Sequence, residues 1–398
     1  MRVAFISDWY SEKMGYAENC LPKSMASLGH DVHVISSNVQ TYFNSPTYQE
    51  TYESFIGPGI VACGIKEING YTLHRLPHQN WNGDLYIEGL LGKLRSLRPQ
   101  IIQTFDVFSL TTLEASLAKL LWGYKLFLAS HIHASVFPLS KRWDRIGTKR
   151  RLKWITKAVV RGRVASFLSE KCYPISTDAA EIVVRFYGVQ SHKVKICSLG
   201  VDTDLFRPLS DDSSQKARAK IRRQFGISES DILCIYTGRF SQAKDPLCLA
   251  QAINFLINKG MPFRGIFIGD GPQKEAIQGC KECYVHPFVP FNKLPQFYWA
   301  ADICVWPRQE STSQLDAIAC GLPIILSNRV EVRERIEGNG LLYEEGDTQD
   351  LARKICTLSN METRRVLGEH GAQKIRKHFS WDIIARQRAV DYEAALRR

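Results

Sequence analysis

Short, strongly apolar runs alternate with helix-patterned segments, twice over, and this succession restricts the chain to open parallel sheets flanked by helices. Residues 3–7 are too short for a buried helix and apolar at nearly every position, as in a strand covered on both faces. A polar loop with Gly15 follows. A helix-patterned segment then runs to about Leu28, with Pro22 set to kink or start it and Gly29-His30 placed to close it. Residues 31–36 are the next strand, completing a strand–loop–helix–strand unit. Residues 101–104, 110–122, 126–130, 181–187 and 193–198 repeat the pattern as strand, helix, strand, helix and strand, so residues 1–205 read as one parallel sheet with helices.

A Pro-, Ser- and charge-rich stretch, 206–230, interrupts the pattern and marks a boundary. The second series has strands at 232–236, 265–268, 303–306 and 323–327 and helices at 245–259, 294–301 and 313–320. In open sheets of this kind ligands bind beyond the carboxyl ends of the strands. Two such sheets in tandem lead to the expectation of an α/β protein whose halves face one shared cleft.

Composition removes several other classes. Of 398 residues, 44% are hydrophobic and 23% charged, which excludes disorder. The formal net charge of +12 calls for an anionic partner. Eleven cysteines, an odd number scattered singly, read as reduced thiols. Cys280 and Cys283 form one CxxC without a second pair, so no metal site is expected. The N-terminus lacks a secretory apolar region and no stretch reaches the roughly 18 apolar residues of a membrane span. A cytoplasmic location is the expectation.

Three loops of the second half carry chemistry. In the first, Gly238 and Arg239 follow a strand end and Lys244 stands where a helix begins. A guanidinium fork and an ammonium beside a helix N-terminus suit a diphosphate. The second is Gly269-Asp270-Gly271-Pro272, where glycine permits positive φ and close backbone approach, though a plain tight turn explains it equally. The third runs from Pro307 to Ala317. Ser311, Thr312 and Ser313 open a helix whose free N–H groups can take phosphate oxygens. Glu310 and Asp316 can accept sugar or ribose hydroxyls. Ser313 and Asp316 also have the spacing of a capping box, which would serve only the helix.

In this order, these motifs resemble the retaining glycosyltransferases of family four (glycosyl transferases group 1), which have the GT-B fold of two Rossmann-like domains. The resemblance spans nearly the whole chain. It includes the Gly15 loop, Leu28-Gly29-His30-Asp31-Val32, His131, residues 200–208, Gly238-Arg239 with Lys244, Gly269-Asp270-Gly271, Ala300-Ala301-Asp302, residues 315–323 and Phe379-Ser380-Trp381. It implies an acceptor domain at 1–205, a nucleotide-sugar domain at 206–378, and a last helix at 379–398 that returns to the first domain. It also implies transfer from a nucleoside diphosphate sugar to a hydroxyl of a glycan, glycolipid or small molecule, with neither metal nor cofactor. Arg239 and Lys244 would neutralise the leaving diphosphate. His131 and Glu310 would contact the donor sugar, Asp316 the ribose, and the Gly15 loop the donor phosphate and the acceptor. The family's two glutamates enclose seven residues; eight positions before Asp316 stands Arg308, with Glu310 nearer and Ser-Thr-Ser replacing the glycines. His133 would share a face with His131 if the strand continued.

Residues 141–163 hold ten Lys or Arg, among them Lys141, Arg142, Arg145, Lys157 and Arg161, against Asp144 alone. Leu152, Ile155 and Val159 fall on one helical face, with Trp143 and Trp154 nearby. This pattern fits peripheral contact with an anionic inner membrane face, and equally a solvated helix packed by its apolar side. No nucleic-acid module is present, so nucleic acid is not an expected partner. A sugar-nucleotide epimerase and a non-catalytic transferase-like binding protein are the rival readings.

Overall fold

A computed structural model of the protein describes residues 1–81, 84–134, 147–330 and 332–398. Lys141, Arg142, Trp143, Asp144 and Arg145 therefore lie outside the described residues. The chain divides into two compact units, Met1–Leu199 with Trp381–Arg398, and Gly200–Ser380.

The first unit is built on the strands β1 (Arg2–Ser7), β2 (Asp31–Ser37), β3 (Gly64–Ile68), β4 (Tyr71–Leu76), β5 (His78–Trp81), β6 (Asp84–Ile87), β7 (Ile101–Thr104), β8 (Lys125–Ser130) and β9 (Lys171–Pro174). Seven of them form one sheet in the order β3-β4-β2-β1-β7-β8-β9, while β5 and β6 make a separate antiparallel pair. All ladders of the large sheet are parallel except β3–β4. That antiparallel edge departs from the all-parallel expectation, and its cause is visible in β3 itself. Four of its five residues are exposed, so it has no second face to bury and can close an edge. The strand expected at 193–198 is reduced to one bridge, Cys172 to Val194. Residues 191–193 form a 3-10 turn, and the Lys193 ammonium instead caps the carbonyls of Ser166, Phe167 and Ser169.

The helix Ala17–Ser27 keeps Pro22 inside it, and Gly29 closes the turn at φ +84°. The last helix, Trp381–Leu396, packs on the first sheet. Its Asp391 accepts from Lys171 (2.6 Å), Lys195 (2.7 Å) and the Tyr173 hydroxyl (2.8 Å).

The second unit carries six parallel strands, β10 (Ile232–Thr237), β11 (Phe263–Ile268), β12 (Cys283–His286), β13 (Ile303–Trp306), β14 (Ile324–Ser327) and β15 (Gly340–Tyr343). Their order across the sheet is β12-β11-β10-β13-β14-β15. β10, β13 and β14 are buried at every position, as strands sandwiched between helix layers must be. The sheet is ordered so that β10 and β13 are neighbours, and this sets the loops after them side by side.

Among the described residues no helix is long and apolar enough to cross a membrane.

Candidate active site

The loops after β10 and β11 are locked to each other through their backbones. Gly238 N–H donates to Ile268 O (2.9 Å), Phe240 N–H to Asp270 O (2.9 Å), and Gln273 N–H to Phe240 O (2.9 Å). Gly238, Gly269 and Gly271 have φ of +143°, +150° and +145°. A Cβ on Gly269 would lie 1.9 Å from the Gly238 carbonyl oxygen. These glycines therefore act locally, letting two loops touch at backbone distance. The Tyr236 hydroxyl then donates to Arg239 O (2.9 Å), which fixes the backbone of the exposed Arg239 at the strand end.

Lys244 reaches the third loop. Its Nζ donates to the Glu310 carbonyl oxygen at 2.5 Å. Its pKa is pushed down to about 8, chiefly by burial; the Glu310 carboxylate opposes this, while the Arg335 and Arg239 guanidiniums add to it. Lys244, Arg239 and Glu310 thus share one neighbourhood, together with Arg335. The motifs gave no hint of Arg335, which stands in a 3-10 turn, Arg333–Arg335, that has no pattern of its own. It is buried, and it holds the third loop through Ser311 O (3.2 Å) and Gln314 Oε1 (3.1 Å). Arg308, which occupies the place of a family glutamate, turns away to Gln242 O (3.3 Å), with Nε 3.5 Å from Asp245 Oδ2 and 3.7 Å from Glu345 Oε1. Asp245 and Gln309 flank this region with φ of +52° and +47°, conformations that non-glycine residues adopt at a cost.

The helix opened by the third loop is Thr312–Ala319, with Ser311 as its N-cap and no side-chain cap bond. Asp316 therefore lies in the helix interior, and the capping-box alternative for Ser313 and Asp316 does not form. The first-turn N–H groups, Thr312 and Ser313 among them, keep the polarity that attracts an anion. Asp316 is buried. Burial first and the neighbouring Asp202 second raise its carboxyl well above the carboxylate range.

In the first unit β8 ends at Ser130, so residues 131–133 are not strand and the two histidines part. His131 lies 5.7 Å, ring to ring, from Phe105. Burial, then Arg388 and His133, push its pKa down to about 3, so the imidazole is neutral. Arg388 comes from the last helix. It stacks 3.6 Å over Tyr173 and donates to Gln103 Oε1 (2.7 Å). His133 instead faces Asp178 Oδ2 (3.3 Å) and the Ser176 hydroxyl (3.4 Å), a structural pairing. Gly15 immediately precedes Tyr16, the N-cap of the helix Ala17–Ser27.

Two carboxyls at this sheet edge carry no motif in the sequence. Asp8 follows β1, and Asp106 follows β7, its ladder neighbour. Burial, with Asp106 next, raises Asp8 to about 7, against the hydroxyls of Thr111 and Ser109. Asp106 is raised too, chiefly by burial, although its Oδ1 accepts the Phe108 and Ser109 N–H groups, both at 2.7 Å. Glu18, in the first turn of its helix, is pushed up to about 7 by burial.

In the basic segment, the side that packs inward is Ala158, Gly162, Ala165 and Ser166, not the Leu152–Ile155 side. A Cβ on Gly162 would sit 2.0 Å from Tyr187 O, so helix and backbone meet directly there. Lys157 and Arg161 both pair with Asp84 at 2.9 Å, and Trp154 packs on Phe108 and Tyr187. Leu152, Ile155, Val160 and Phe167 are left exposed, as are Leu117, Leu120 and Leu121 on the helix Leu110–Trp122.

Both units match solved structures as a pair of sheets. Anabaena HepE in complex with UDP matches at a TM-score of 0.70 and 15% identity, covering 99% of this chain and 100% of that one. Sucrose-phosphate synthase from Thermosynechococcus elongatus matches at 0.65 and 17%, covering 99% of each. The fold is that of the GT-B glycosyltransferases. The model for Glycosyltransferase Family 4 matches residues 21–205, and that for Glycosyl transferases group 1 matches residues 231–361. The chain belongs to this family. It is 28% identical over 233 residues to the spore coat protein SA of Bacillus subtilis (strain 168), covering 53% of this chain and 61% of that one. It is 27% identical over 237 residues to the D-inositol 3-phosphate glycosyltransferase of Xylanimonas cellulosilytica, covering 56% of each. The chain thus spans about six tenths of the length of these relatives.

Proposed function

We propose that the protein transfers a sugar from a nucleoside diphosphate donor to a hydroxyl acceptor, with retention at the anomeric carbon and without metal or cofactor. The observation that carries this reading is the grouping of Lys244, Arg239 and Arg335 beside the start of the helix Thr312–Ala319. As the glycosidic C–O bond breaks, negative charge gathers on the diphosphate. Fixed cations placed for that charge are among the largest catalytic contributions available. Lys244 and Arg239 take this role. Arg335, tied to Ser311 O, positions the loop. The N–H groups of Ser311, Thr312 and Ser313 receive phosphate oxygens. Gly238, Gly269 and Gly271 hold the cradle in shape. Glu310 addresses the donor sugar. Asp316, in its protonated form, can both donate to and accept from a ribose diol. On the first unit neutral His131 serves a sugar hydroxyl, and the Gly15 loop serves the acceptor.

Thermal-shift measurements with UDP-, GDP- and ADP-sugars test this. A native-state ligand at 100 times its Kd adds about 2.7 kcal/mol of stability. One donor should raise Tm in the wild type and lose most of that effect in Arg239→Ala and Lys244→Ala. Equal shifts in all three proteins would refute the assignment.

The acceptor is a glycan, a glycolipid or a small molecule presented near an anionic membrane at its inner face. The exposed Leu120, Leu121, Leu152 and Phe167, in a chain whose residues 141–163 hold ten Lys or Arg, support that placement. Co-sedimentation with phosphatidylglycerol vesicles at low salt should retain the wild type and release Leu120→Asp/Leu121→Asp. Failure of the wild type to sediment ends the membrane part alone.

A further inference from the structure

The chain between β2 and β3 forms an aromatic surface that none of the roles above uses. Tyr42 holds a left-handed φ of +69°, a cost for a bulky residue, and is 40% exposed. Its ring stacks on Tyr52 with centroids 4.7 Å apart and planes 15° apart. Phe43 is 37% exposed and meets Tyr48 edge-on at 5.7 Å. Its ring covers Gly59, where a Cβ would lie 1.9 Å away.

This surface is fastened to the Gly15 loop. Thr41 N–H donates to the Ser11 hydroxyl (2.9 Å), which donates to Gln40 Oε1 (2.7 Å). The hydroxyls of Tyr16 and Tyr42 share a hydrogen bond of 2.5 Å. The platform and the loop next to Gly15 therefore form one fixed piece. A groove of about 420 Å³ follows from Gln40, two residues before Tyr42, and is lined by Lys13, Gln40 and Arg75 and by the apolar Ile56, Val61 and Leu73.

We propose that Tyr42 and Phe43 form a stacking platform for a pyranose ring of a saccharide acceptor. The inference rests on the transfer reading and narrows its acceptor to a sugar. An aromatic face is electron-rich and attracts the polarised C–H groups of one sugar face. The hydroxyls at the ring's edge then meet polar side chains of the groove such as Gln40 and Lys13. Stacking on the buried Tyr52 and the bond to Tyr16 hold the Tyr42 ring in place while the residue stays 40% exposed.

A glycan array of defined oligosaccharides, probed with the labelled full chain, tests this. The wild type should retain a set of pyranose-containing glycans, and Tyr42→Ala should bind them about five- to tenfold more weakly. Tyr42→Trp, which keeps a stacking face, should stay within about threefold. Thermal shifts by the UDP-, GDP- and ADP-sugar panel should be the same in Tyr42→Ala as in the wild type; a donor shift lost in Tyr42→Ala alone overturns the platform, whereas no donor shift in the wild type sinks the transfer reading and not the platform. Unchanged glycan binding in a folded Tyr42→Ala, or no glycan retained by the wild type, overturns the platform. If Tyr42→Ala does not fold by circular dichroism, Phe43→Ala decides by the same criterion.

Discussion

Replacing Gly269 by alanine probes the seam on which the donor loops depend. The new Cβ would stand 1.9 Å from Gly238 O and 3.1 Å from a carbon of the Phe240 ring. Neither neighbour is a flexible tip. Gly238 is itself held by its N–H bond to Ile268 O, and Phe240 is fully buried. The positive φ costs about 1–2 kcal/mol for a residue with a Cβ, and forcing a methyl into packed backbone adds about 1–3 kcal/mol. Gly269→Ala should therefore cost about 2–5 kcal/mol. Gly260→Ala supplies the control in the same unit. Its φ is +76°, yet nothing lies within 4 Å of the added carbon, so only the backbone cost of about 1–2 kcal/mol applies. Urea unfolding at fixed pH, read as a change in midpoint at constant slope, separates the two. Donor affinity should fall in Gly269→Ala and hold in Gly260→Ala, because only the first displaces the backbone of Arg239. Equal midpoints for the two variants would refute the backbone-contact account.

Lys244→Gln should lower transfer by about 10²–10³-fold, as loss of a charge-stabilising donor does elsewhere; a loss below tenfold in turnover assays would remove Lys244 from the reaction. Because the Lys244 pKa lies near 8, binding of UDP at pH 8.5 should draw a proton from solution, and calorimetry in buffers of different ionisation enthalpy should show it. No buffer dependence would contradict the crowding of cations. Asp8 and Glu18, both raised to about 7, bind protons in the folded state that the unfolded chain releases. Their contribution to stability is present below about pH 4 and is lost as pH rises towards 7, by up to about 1.4 kcal/mol per pH unit for each group. Asp8→Asn should flatten that part of the profile; an unaltered slope would show that Asp8 is ionised throughout. Asp391, held below its ordinary value by Lys171, Lys195 and Tyr173 despite burial, contributes in the opposite sense, and its share is lost as pH falls below about 4. Asp391→Asn should lower the urea midpoint at pH 7 by more than it does at pH 3.

How much could be read in advance follows from where the physics is local. Strands such as β10 and β13 bury both faces and announce themselves as apolar runs. β3 is exposed at four of its five positions and carries no such run, so the 37–100 region, with the edge strand and the Tyr42 platform, was silent. Arg239 and Lys244 could be singled out because a cation just past a strand end, or at a helix start, is unusual without an anion to meet, and the structure sets Lys244 near Arg239 and against the Glu310 carbonyl. Arg335 could not, since its approach to Ser311 O depends on a tertiary fold-back across 24 residues. Spacing misled at Ser313 and Asp316. The pair has the distance of a capping box, but the N-cap is Ser311, two residues before the Ser313 such a box requires, and this leaves Asp316 as a buried carboxyl. His131 and His133 were indistinguishable by alternation, and the end of β8 at Ser130 separates them.

The two units carry groups of different charge at the carboxyl ends of their strands. Around Lys244 burial, with the Arg335 and Arg239 guanidiniums adding to it, brings the ammonium down to about 8, and an anion bound there would favour its charged form. At the edge of the first sheet the reverse holds: burial raises Asp8 and Asp106, with the Asp106 carboxylate adding to the shift of Asp8 and Asp84 to that of Asp106, and His131 stays neutral. A phosphate would find no cation among those three groups. A polyhydroxyl compound would find the Asp8 carboxyl, raised to about 7 and so able to donate as well as accept, a neutral imidazole and, at Tyr42, an exposed aromatic ring. On the proposed reading the diphosphate goes to Gly200–Ser380 and a neutral, hydroxyl-bearing group to Met1–Leu199. If inorganic diphosphate protected the backbone amides after β1 and β7 from hydrogen exchange as strongly as those of the Gly238 loop, this division of labour would be wrong.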